Sequence, residues 1–385
     1  MEKRMKIRHI CFFSDRYPIG YDPAFSFLGE LVKSIADLGI ICTVISPQNS
    51  GRQKNDKTKR PYFRVEKTEN GSEISIYHPV FPSISKLSKF GYNDWMRSVV
   101  ALKCYKEVKE KSSVPVDVIY AHFWDAGAYA IKVANKYNLP LFVATGESII
   151  PNKKRTSVAI NKYYDNLHGC ICVSQKNQEE SISMGLVEIK KTIVIPNSID
   201  PNAFYRMNKK QCREKLKIDD SAFVTIFVGS FDERKGVNRV AEAIDELDNV
   251  KSIYIGKGAM KPNDRNCIFC GPLPHHELVT YLNAADVFVL PTRAEGCCNA
   301  IIEAMACGLP IISSNKSFNN DILNSKYAIF TDSEDIKAIR DAITFLRDHL
   351  EERKQMAYEA YEASTKFHLN ERANKIMTYI RENSK

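Results

Sequence analysis

DVFVLPTRAEGCCNAIIEAMACGLPIISS, residues 286–314, contains a complete strand–loop–helix–strand unit. Its first apolar run is typical of a buried strand, and Pro291 ends that run. A polar loop follows, and residues 299–307 then have the composition of a buried helix that ends before Gly308. Residues 310–313 predict the next strand. A helix that connects two buried strands is typical of a parallel sheet in an α/β domain.

The same alternation extends along the whole chain. In the first half, strands are predicted at 8–14, 41–46, 73–78, 116–121, 140–145, 169–174 and 191–195. Helices are predicted at 25–38, 93–111, 125–137 and 175–184. In the second half, strands are predicted at 223–229, 252–256, 266–270, 286–290, 310–313 and 327–331. We therefore expect two tandem Rossmann-like, doubly wound α/β domains with an interdomain cleft and parallel sheets.

The join between the domains is predicted near IPNSIDPNAF (195–204), which has two prolines, two asparagines and no periodicity. This position gives an N-terminal domain at 1–196 and a C-terminal domain at 197–365. Residues 366–385 are expected to form a helix that packs back on the N-terminal domain.

The composition indicates a globular protein, because 44% of the 385 residues are hydrophobic and 26% are charged. No apolar run reaches about 18 residues, so no transmembrane helix is expected. The 11 cysteines lie mostly in apolar segments, which favours reduced thiols and a cytoplasmic location. Cys267 and Cys270 form a C-x-x-C pair without a second pair of ligands, so two ordinary strand residues are the simpler interpretation.

Doubly wound sheets bind ligands at the carboxyl ends of their strands, so the loop after strand 286–290 is the first candidate site. Glu295 lies in this loop, and Gly296 removes a side chain where the backbone must approach a ligand closely. The free amides of residues 297–300 begin the following helix and suit a phosphate or a sugar oxygen. Glu303 lies among apolar neighbours, where a buried carboxylate needs hydrogen-bond donors such as ribose hydroxyls. The alternative is that Glu303 is a solvated acid on the protein surface.

Three further loops follow strands of the second half. VGSFDERKG (228–236) places Arg234 and Lys235 just before a helix, as suits a diphosphate, although a surface turn explains it equally well. YIGKGAMK (254–261) has only two of the three glycines of the dinucleotide fingerprint, so NAD binding is not expected. The two histidines of CGPLPHHEL are interpreted as the start of a helix, because no acid or cysteine spacing completes a metal site.

In this order, the motifs resemble the donor domain of a retaining, nucleotide-sugar-dependent glycosyltransferase of family 4, which has the two-Rossmann-domain GT-B fold. The resemblance rests on VGSFDERKG, YIGKG, CGPLPHHEL, YLNAADVFVLPTRAEG and the seven residues between Glu295 and Glu303. IPNSIDPNAF, ICVSQ and DVIYAHFW are similar to further family segments. The similarity therefore covers nearly the whole chain, most strongly at 223–314.

The resemblance implies a role for each candidate residue. Glu295 would contact hydroxyls of the donor sugar, Lys235 would neutralise the diphosphate, and Glu303 would accept hydrogen bonds from the ribose. His122 matches a family histidine, and a hydrogen-bonded structural role explains it as well as catalysis does. The predicted catalytic residues are Glu295, Lys235 and His122. The predicted donor-binding residues are Gly20, Gly229, Ser230, Arg234, Leu273, Gly296, Cys297, Cys298, Asn299 and Glu303.

Three positions depart from the family pattern. Ser230 stands where the family commonly has an arginine, for which Arg234 would compensate. The glycine pair of the first domain is reduced to Gly20. Thr145 stands where the family often has a histidine, and Glu147 is the nearest residue available for a polar role.

The resemblance implies transfer of a hexose, with retention, from a nucleotide-diphosphate sugar to a saccharide or lipid-linked acceptor in polysaccharide biosynthesis. The acceptor is expected on the first domain, where KLSKFGYNDWMRS (86–98) combines basic and aromatic side chains. No cofactor or metal is expected, since no D-x-D motif is evident and the acids at 332, 334 and 335 resemble the first turn of a helix. A nucleotide-sugar epimerase on the same fold and a non-catalytic nucleotide-sugar-binding protein are the alternatives.

The net charge of +9 arises mainly from the N-terminal part. No nucleic-acid-binding motif accompanies it, so no nucleic-acid partner is expected. An anionic membrane surface, at the inner face of the membrane, and a phosphorylated acceptor explain the charge equally well. Solvated loops are the simplest interpretation for residues 50–60.

Overall fold

A computed structural model describes residues 6–20, 25–53, 59–83, 91–150 and 167–384. The basic half of KLSKFGYNDWMRS lies outside these residues. The chain divides into two compact units. Unit 1 consists of Met1–Ile195 together with Leu369–Lys385, and unit 2 consists of Pro196–His368.

Unit 1 is an α/β unit. Its strands are β1 (His9–Ser14), β2 (Ile41–Ile45), β3 (Gln48–Asn49), β4 (Phe63–Lys67), β5 (Glu73–Tyr77), β6 (Val80–Phe81), β7 (Val118–His122), β8 (Leu141–Thr145), β9 (Leu167–Cys172) and β10 (Thr192–Val194). Its first helices are α1 (Ser26–Asp37), α2 (Ser50–Gln53), α3 (Tyr92–Lys111), α4 (Trp124–Tyr137) and α5 (Gln175–Ser183). The main sheet has the order β10-β9-β8-β7-β1-β2-β5-β4, and β3 pairs with β6 separately.

The sheet of unit 1 is buried on both faces, which explains why β1 is an unbroken apolar run. Ile10 and Phe12 belong to one hydrophobic cluster, with residues of α1. Cys11 and Phe13 belong to the opposite cluster, with residues of α3 and α4. Alternate side chains of one strand therefore anchor two layers of helices.

One edge of this sheet differs from the sequence prediction. The prediction of a fully parallel sheet for the first half is wrong at β4, because this strand pairs antiparallel with β5. Gly71, with φ of 85°, lies in the short turn that connects the two strands. The side chains of β4 are only partly buried, so the strand lacks the continuous apolar run by which the other strands were predicted.

Unit 2 is a second α/β unit. Its strands are β11 (Phe223–Val228), β12 (Val250–Ile255), β13 (Cys267–Gly271), β14 (Val287–Leu290), β15 (Ile311–Ser314) and β16 (Ala328–Thr331). Its helices are α6 (Lys209–Leu216), α7 (Val237–Asp245), α8 (His275–Ala284), α9 (Asn299–Ala306), α10 (Ile336–Asp348) and α11 (Leu350–Ser364). The strand order is β13-β12-β11-β14-β15-β16, and every pair is parallel.

The last helix, α12 (Leu369–Asn383), belongs to unit 1. Ala373, Ile376 and Ile380 lie in the same hydrophobic cluster as α1. The Tyr379 hydroxyl donates a hydrogen bond to the carbonyl of Lys191 at 2.7 Å. These contacts join the C-terminal end of the chain to the sheet of unit 1. Within the described ranges, no helix is both long enough and apolar enough to cross a bilayer.

Candidate active site

Two loops of unit 2 lie side by side, because they follow the adjacent parallel strands β11 and β14. The loop after β11 carries Arg234 and Lys235, and the loop after β14 carries Glu295. The backbone N–H of Arg293 donates to the carbonyl of Arg234 at 2.8 Å. The carboxyl edge of the sheet thus brings together residues that are about 60 positions apart in the sequence, as expected for a doubly wound fold.

Glu295 accepts three hydrogen bonds on a single carboxylate oxygen. Its Oε1 lies 2.7 Å from Lys235 Nζ and 2.8 Å from Arg234 Nη1. The Thr292 hydroxyl donates to the same oxygen at 2.8 Å. Glu295 is only 8% exposed, so its charge requires such partners. Two cations thus share one carboxylate oxygen, and their N–H groups suit an anionic ligand.

Lys235 stays charged although it is nearly buried. Burial by itself lowers the pKa of its ammonium group, but Cys298 and Glu295 raise that pKa above its ordinary value. The stem of the side chain passes close to Gly229, where a Cβ would lie 3.4 Å from Cδ of Lys235. This is an ordinary van der Waals distance, so the passage of the lysine does not require a glycine at position 229.

Asp232 organises the loop after β11. Its Oδ1 accepts from the backbone N–H of Lys235 at 2.8 Å, and its Oδ2 accepts from the Ser230 hydroxyl at 2.5 Å. Burial tends to raise the pKa of Asp232, but these hydrogen bonds and the nearby Arg234 lower it overall. No role was predicted for Asp232. An aspartate two or three residues before a backbone donor is a typical turn signal, which would have identified it.

The two cysteines of the β14 loop lie beside Asn197 and Lys235, respectively. Cys298 immediately precedes α9 and makes no side-chain cap, and its carbonyl accepts from the backbone N–H of Ile301 at 3.2 Å. The amides of Asn299 and Ala300, at the start of the helix, therefore suit another acceptor. Sγ of Cys298 lies 3.9 Å from Lys235 Nζ, and burial raises the pKa of the thiol. Nδ2 of Asn197 donates to the carbonyl of Cys297 at 3.2 Å and to Oδ1 of Asn299 at 2.8 Å. Asn197, which sequence reasoning missed, thereby fixes the start of α9.

Glu303 is buried in α9, so its interpretation as a solvated surface acid is wrong. Its Oε1 lies 3.0 Å from Nε2 of His275, the first residue of α8. The imidazole also packs against Phe204, with ring centroids 5.0 Å apart. His275 was predicted only to begin a helix. The structure adds a second function, because His275 orients the carboxylate that was predicted to bind ribose.

The glycines of YIGKG allow two loops to approach closely. A Cβ on Gly256 would lie 1.8 Å from the carbonyl oxygen of Gly229, and one on Gly258 would lie 2.2 Å from that of Phe231. Backbone hydrogen bonds join Phe231 to Lys257 and to Met260, each at 3.0 Å. These glycines thus have a packing function within unit 2 beside the candidate site.

The remaining predicted residues are more dispersed. Leu273 is half-buried against the core of unit 2, just before α8. Gly296 is buried between Glu295 and Cys297. Gly20, in unit 1, is exposed, and a Cβ there would meet no atom within 4 Å. The structure gives no spatial reason for a glycine at that position.

His122 ends β7 in unit 1 and is buried beneath three phenylalanine rings. Within the described part of the chain, neither ring nitrogen has a hydrogen-bond partner, which is contrary to the hydrogen-bonded structural role. Burial, assisted by Arg372, lowers the pKa of His122 to about 3. The imidazole is therefore neutral at physiological pH.

Glu147 has a structural role. Its carboxylate accepts from the backbone N–H of Trp124 at 2.9 Å, at the start of α4, and from that of Gly146 at 2.9 Å. The Thr145 hydroxyl donates to it at 2.6 Å. Burial raises the pKa of this carboxyl group despite these donors. Glu147 caps a helix, so its polar function is satisfied within unit 1.

The described residues contain no group of three or more His, Cys, Asp or Glu side chains arranged to hold a metal ion. The positive charge at the carboxyl edge of unit 2 comes from Arg234, Lys235 and the amides that begin α9. This arrangement suits a ligand with a diphosphate flanked by hydroxyl groups that reach Glu295 and Glu303.

Both halves of the chain match known families. Residues 26–203 match the family described as Glycosyltransferase Family 4, and residues 208–363 match Glycosyl transferases group 1. The chain is 25% identical over 351 residues to a putative teichuronic acid biosynthesis glycosyltransferase, TuaC, of Bacillus subtilis, which covers 87% of this chain and 88% of the relative. It is 26% identical over 280 residues to a UDP-Gal:alpha-D-GlcNAc-diphosphoundecaprenol alpha-1,3-galactosyltransferase of Escherichia coli, covering 66% and 70%.

Solved structures share the fold of the whole chain. Sucrose-phosphate synthase from Thermosynechococcus elongatus superposes with a TM-score of 0.76 at 15% identity, covering 97% of this chain and 98% of its own. The Anabaena protein HepE, in complex with UDP and glucose, gives a TM-score of 0.72 at 16% identity, covering 97% and 99%. At these identities the similarity is one of fold, and it is to proteins with the GT-B architecture.

Proposed function

We infer that this chain, which belongs to the family 4 glycosyltransferases, transfers a hexose from a nucleotide-diphosphate sugar to a saccharide or lipid-linked acceptor with retention of configuration. The family membership makes the chain a glycosyltransferase; the donor, the acceptor and the stereochemistry are the proposal. The observation that carries it is the shared oxygen of Glu295, which holds Lys235 and Arg234 at the carboxyl edge of unit 2.

The leaving group explains why this cluster suits the reaction. As the bond between the anomeric carbon and the diphosphate breaks, negative charge grows on the phosphate oxygens. Preorganised cations and amides stabilise such charge strongly in a site that excludes water. Lys235, Arg234 and the first amides of α9 supply this positive charge without a metal ion. The amides come from Asn299 and its neighbours, where Asn197 fixes the backbone.

In the proposed step, the acceptor hydroxyl attacks the anomeric carbon on the face from which the diphosphate departs. The new glycosidic bond forms as the bond to the phosphate oxygen breaks. The proton of the acceptor hydroxyl passes to a phosphate oxygen, and the nucleoside diphosphate leaves. Glu295 orients the sugar hydroxyls in this scheme, and its paired cations keep it ionised and fixed.

The nucleoside part of the donor is assigned to the start of α8 and to α9. Glu303 would accept hydrogen bonds from the ribose hydroxyls while His275 holds its other side. The backbone beside Leu273 would contact the base. A carboxylate that accepts two hydroxyl groups distinguishes a ribose from a deoxyribose, so the proposal specifies a ribonucleotide donor.

The acceptor is assigned to unit 1. The relative from Escherichia coli is named for a diphosphoundecaprenol-linked acceptor, and the relative from Bacillus subtilis for teichuronic acid biosynthesis. These names support an acceptor from surface-polysaccharide synthesis. A lipid-linked acceptor would bring the chain to the membrane surface, where its net charge of +9 favours contact with anionic lipids.

Product analysis with a panel of UDP-, GDP- and ADP-sugars tests the proposal. Release of nucleoside diphosphate that depends on a lipid-linked or free saccharide acceptor, with the donor's anomeric configuration kept in the product, supports it. Interconversion of the donor without any acceptor indicates an epimerase instead. Tight donor binding without turnover, for every acceptor that the relatives suggest, indicates a binding protein.

A further inference from the structure

A polar cavity of about 200 Å³ lies at the carboxyl edge of the unit 1 sheet. We call it the arginine cavity. Its lining includes Asp15, Arg16, Gln48, Arg60, Phe81 and Arg97. Asp15 and Arg16 directly follow β1, and Gln48 lies in the segment after β2. The cavity therefore lies at the edge where doubly wound sheets bind ligands.

Three arginines and one aspartate line the cavity, which makes it electropositive. Arg16 is exposed, and Arg60 is 2% exposed. Nη1 of Arg60 donates to the carbonyl of Tyr17 at 2.5 Å, which positions the guanidinium in the wall of the cavity. A buried guanidinium and an exposed one thus contribute to the same small volume.

Among the residues that the structure describes, the acids near Arg97, the third arginine, lie at long distances. Nη1 of Arg97 lies 3.4 Å from Asp15 and 3.9 Å from Asp94, beyond the roughly 2.7–2.9 Å of a strong charged hydrogen bond. Its guanidinium also lies over the ring of Phe81, 5.4 Å from the centroid. An oxyanion in the cavity would therefore give Arg97 a stronger partner than Asp15 does.

The wall of the cavity is fixed before any ligand binds. Nε2 of Gln48 donates to the carbonyl of Arg60 at 3.0 Å and to that of His78 at 3.1 Å. Because Gln48 is buried, these bonds hold the segment after β2 against the one that carries Arg60. Burial raises the pKa of Asp15, and Arg97 opposes that rise.

We propose that the arginine cavity binds the anionic group, a phosphate or a carboxylate, of an acidic acceptor saccharide. The proposal rests on the proposed function, because that function assigns the acceptor to unit 1. The planar fork of a guanidinium matches both oxyanions, and three such groups around a small volume discriminate strongly against neutral saccharides. Acceptors that carry no negative charge would lose these contacts.

The test is calorimetric titration of the full chain with glucose 6-phosphate, glucuronate, inorganic phosphate and glucose, without a donor. Glucose 6-phosphate or glucuronate should bind at least tenfold more tightly than glucose. Comparison of the first two probes distinguishes a phosphate group from a carboxylate. The double variant Arg16→Ala, Arg97→Ala should weaken binding of the preferred probe by about tenfold or more, as expected for lost charged hydrogen bonds.

Lys103→Ala, Lys106→Ala is the matched control, since it removes two exposed cations from α3, the helix that carries Arg97, at positions that do not line the cavity. It should change binding of the same probe less than threefold. The proposal is overturned if glucose binds as tightly as the anionic probes. It is also overturned if the Arg16, Arg97 double variant binds the preferred probe with full affinity, or if only the control variant loses affinity for it. If the double variant does not fold, Arg16→Ala alone decides, because that side chain is exposed. The titration uses no donor, so its failure is separate from a failure to detect transfer.

Discussion

Nζ of Lys235 lies 2.7 Å from Oε1 of Glu295, although the two residues are on different loops of unit 2. The neighbouring strands β11 and β14 bring these loops together, and Arg234 donates to the same oxygen. A diphosphate that approaches Lys235 therefore meets a fixed cation whose position is set by Glu295.

Lys235→Ala should reduce acceptor-dependent release of nucleoside diphosphate by about 100-fold or more, since it removes a preorganised cation from the leaving group. Glu295 would still be held by Arg234 and Thr292, so the fold should persist. Steady-state kinetics measures the effect. Lys257→Ala, which removes an exposed lysine from the nearby YIGKG loop, is the control and should retain nearly full activity. Equal losses in both variants would contradict a specific role for Lys235.

Glu303→Ala should weaken binding of the nucleoside diphosphate by about 1–3 kcal/mol, the range for lost charge-assisted hydrogen bonds. His275→Ala should weaken it by less, because it removes only the group that orients the carboxylate. Titration with the ribonucleotide and its 2′-deoxy analogue measures both effects. The Glu303 variant should also lose most of the preference for ribose. Unchanged discrimination between the two nucleotides would remove Glu303 from the ribose site.

Gly256→Ala should disrupt nucleotide binding and lower stability, because its Cβ would lie 1.8 Å from the carbonyl oxygen of Gly229. Gly271→Ala is a matched control at the end of the adjacent strand. The two glycines have φ of 152° and 157°, but a Cβ on Gly271 meets no atom within 4 Å. Both variants should carry similar backbone strain, but only Gly256→Ala adds a steric clash. The difference between their denaturant midpoints therefore measures the effect of the clash. Similar losses in both variants would show that strain alone is responsible.

His122→Phe should change how stability depends on pH. The folded chain keeps this imidazole neutral down to about pH 3, whereas the unfolded chain binds a proton below its ordinary pKa of about 6.5. The wild type therefore loses stability from this group as the pH falls from about 6.5 towards 3, by roughly 1.4 kcal/mol per unit. Urea unfolding at several pH values should give a shallower decline for the variant. Parallel curves would mean that His122 takes up a proton in the folded chain.

Much of the candidate site was predictable, because both loops follow strands with strong apolar runs. The order of those strands brings Lys235 and Glu295 to one edge of the sheet. The pairing of Glu303 with His275 was not predictable, since it depends on how α8 and α9 pack. The same holds for Asn197 and Asn299, which are 102 residues apart in the sequence. Strand β4 was missed because an exposed antiparallel edge strand lacks the continuous apolar run that identifies buried strands.

The central claim is that Glu295 acts on the sugar while the diphosphate binds to the cations beside it. Glu295→Gln preserves the size of the side chain and removes its charge. The decisive measurement compares acceptor-dependent release of nucleoside diphosphate with the affinity for that nucleotide in the same variant. The account predicts that turnover is abolished while the affinity changes by less than about threefold, or roughly 0.7 kcal/mol. Retained turnover in Glu295→Gln would contradict it.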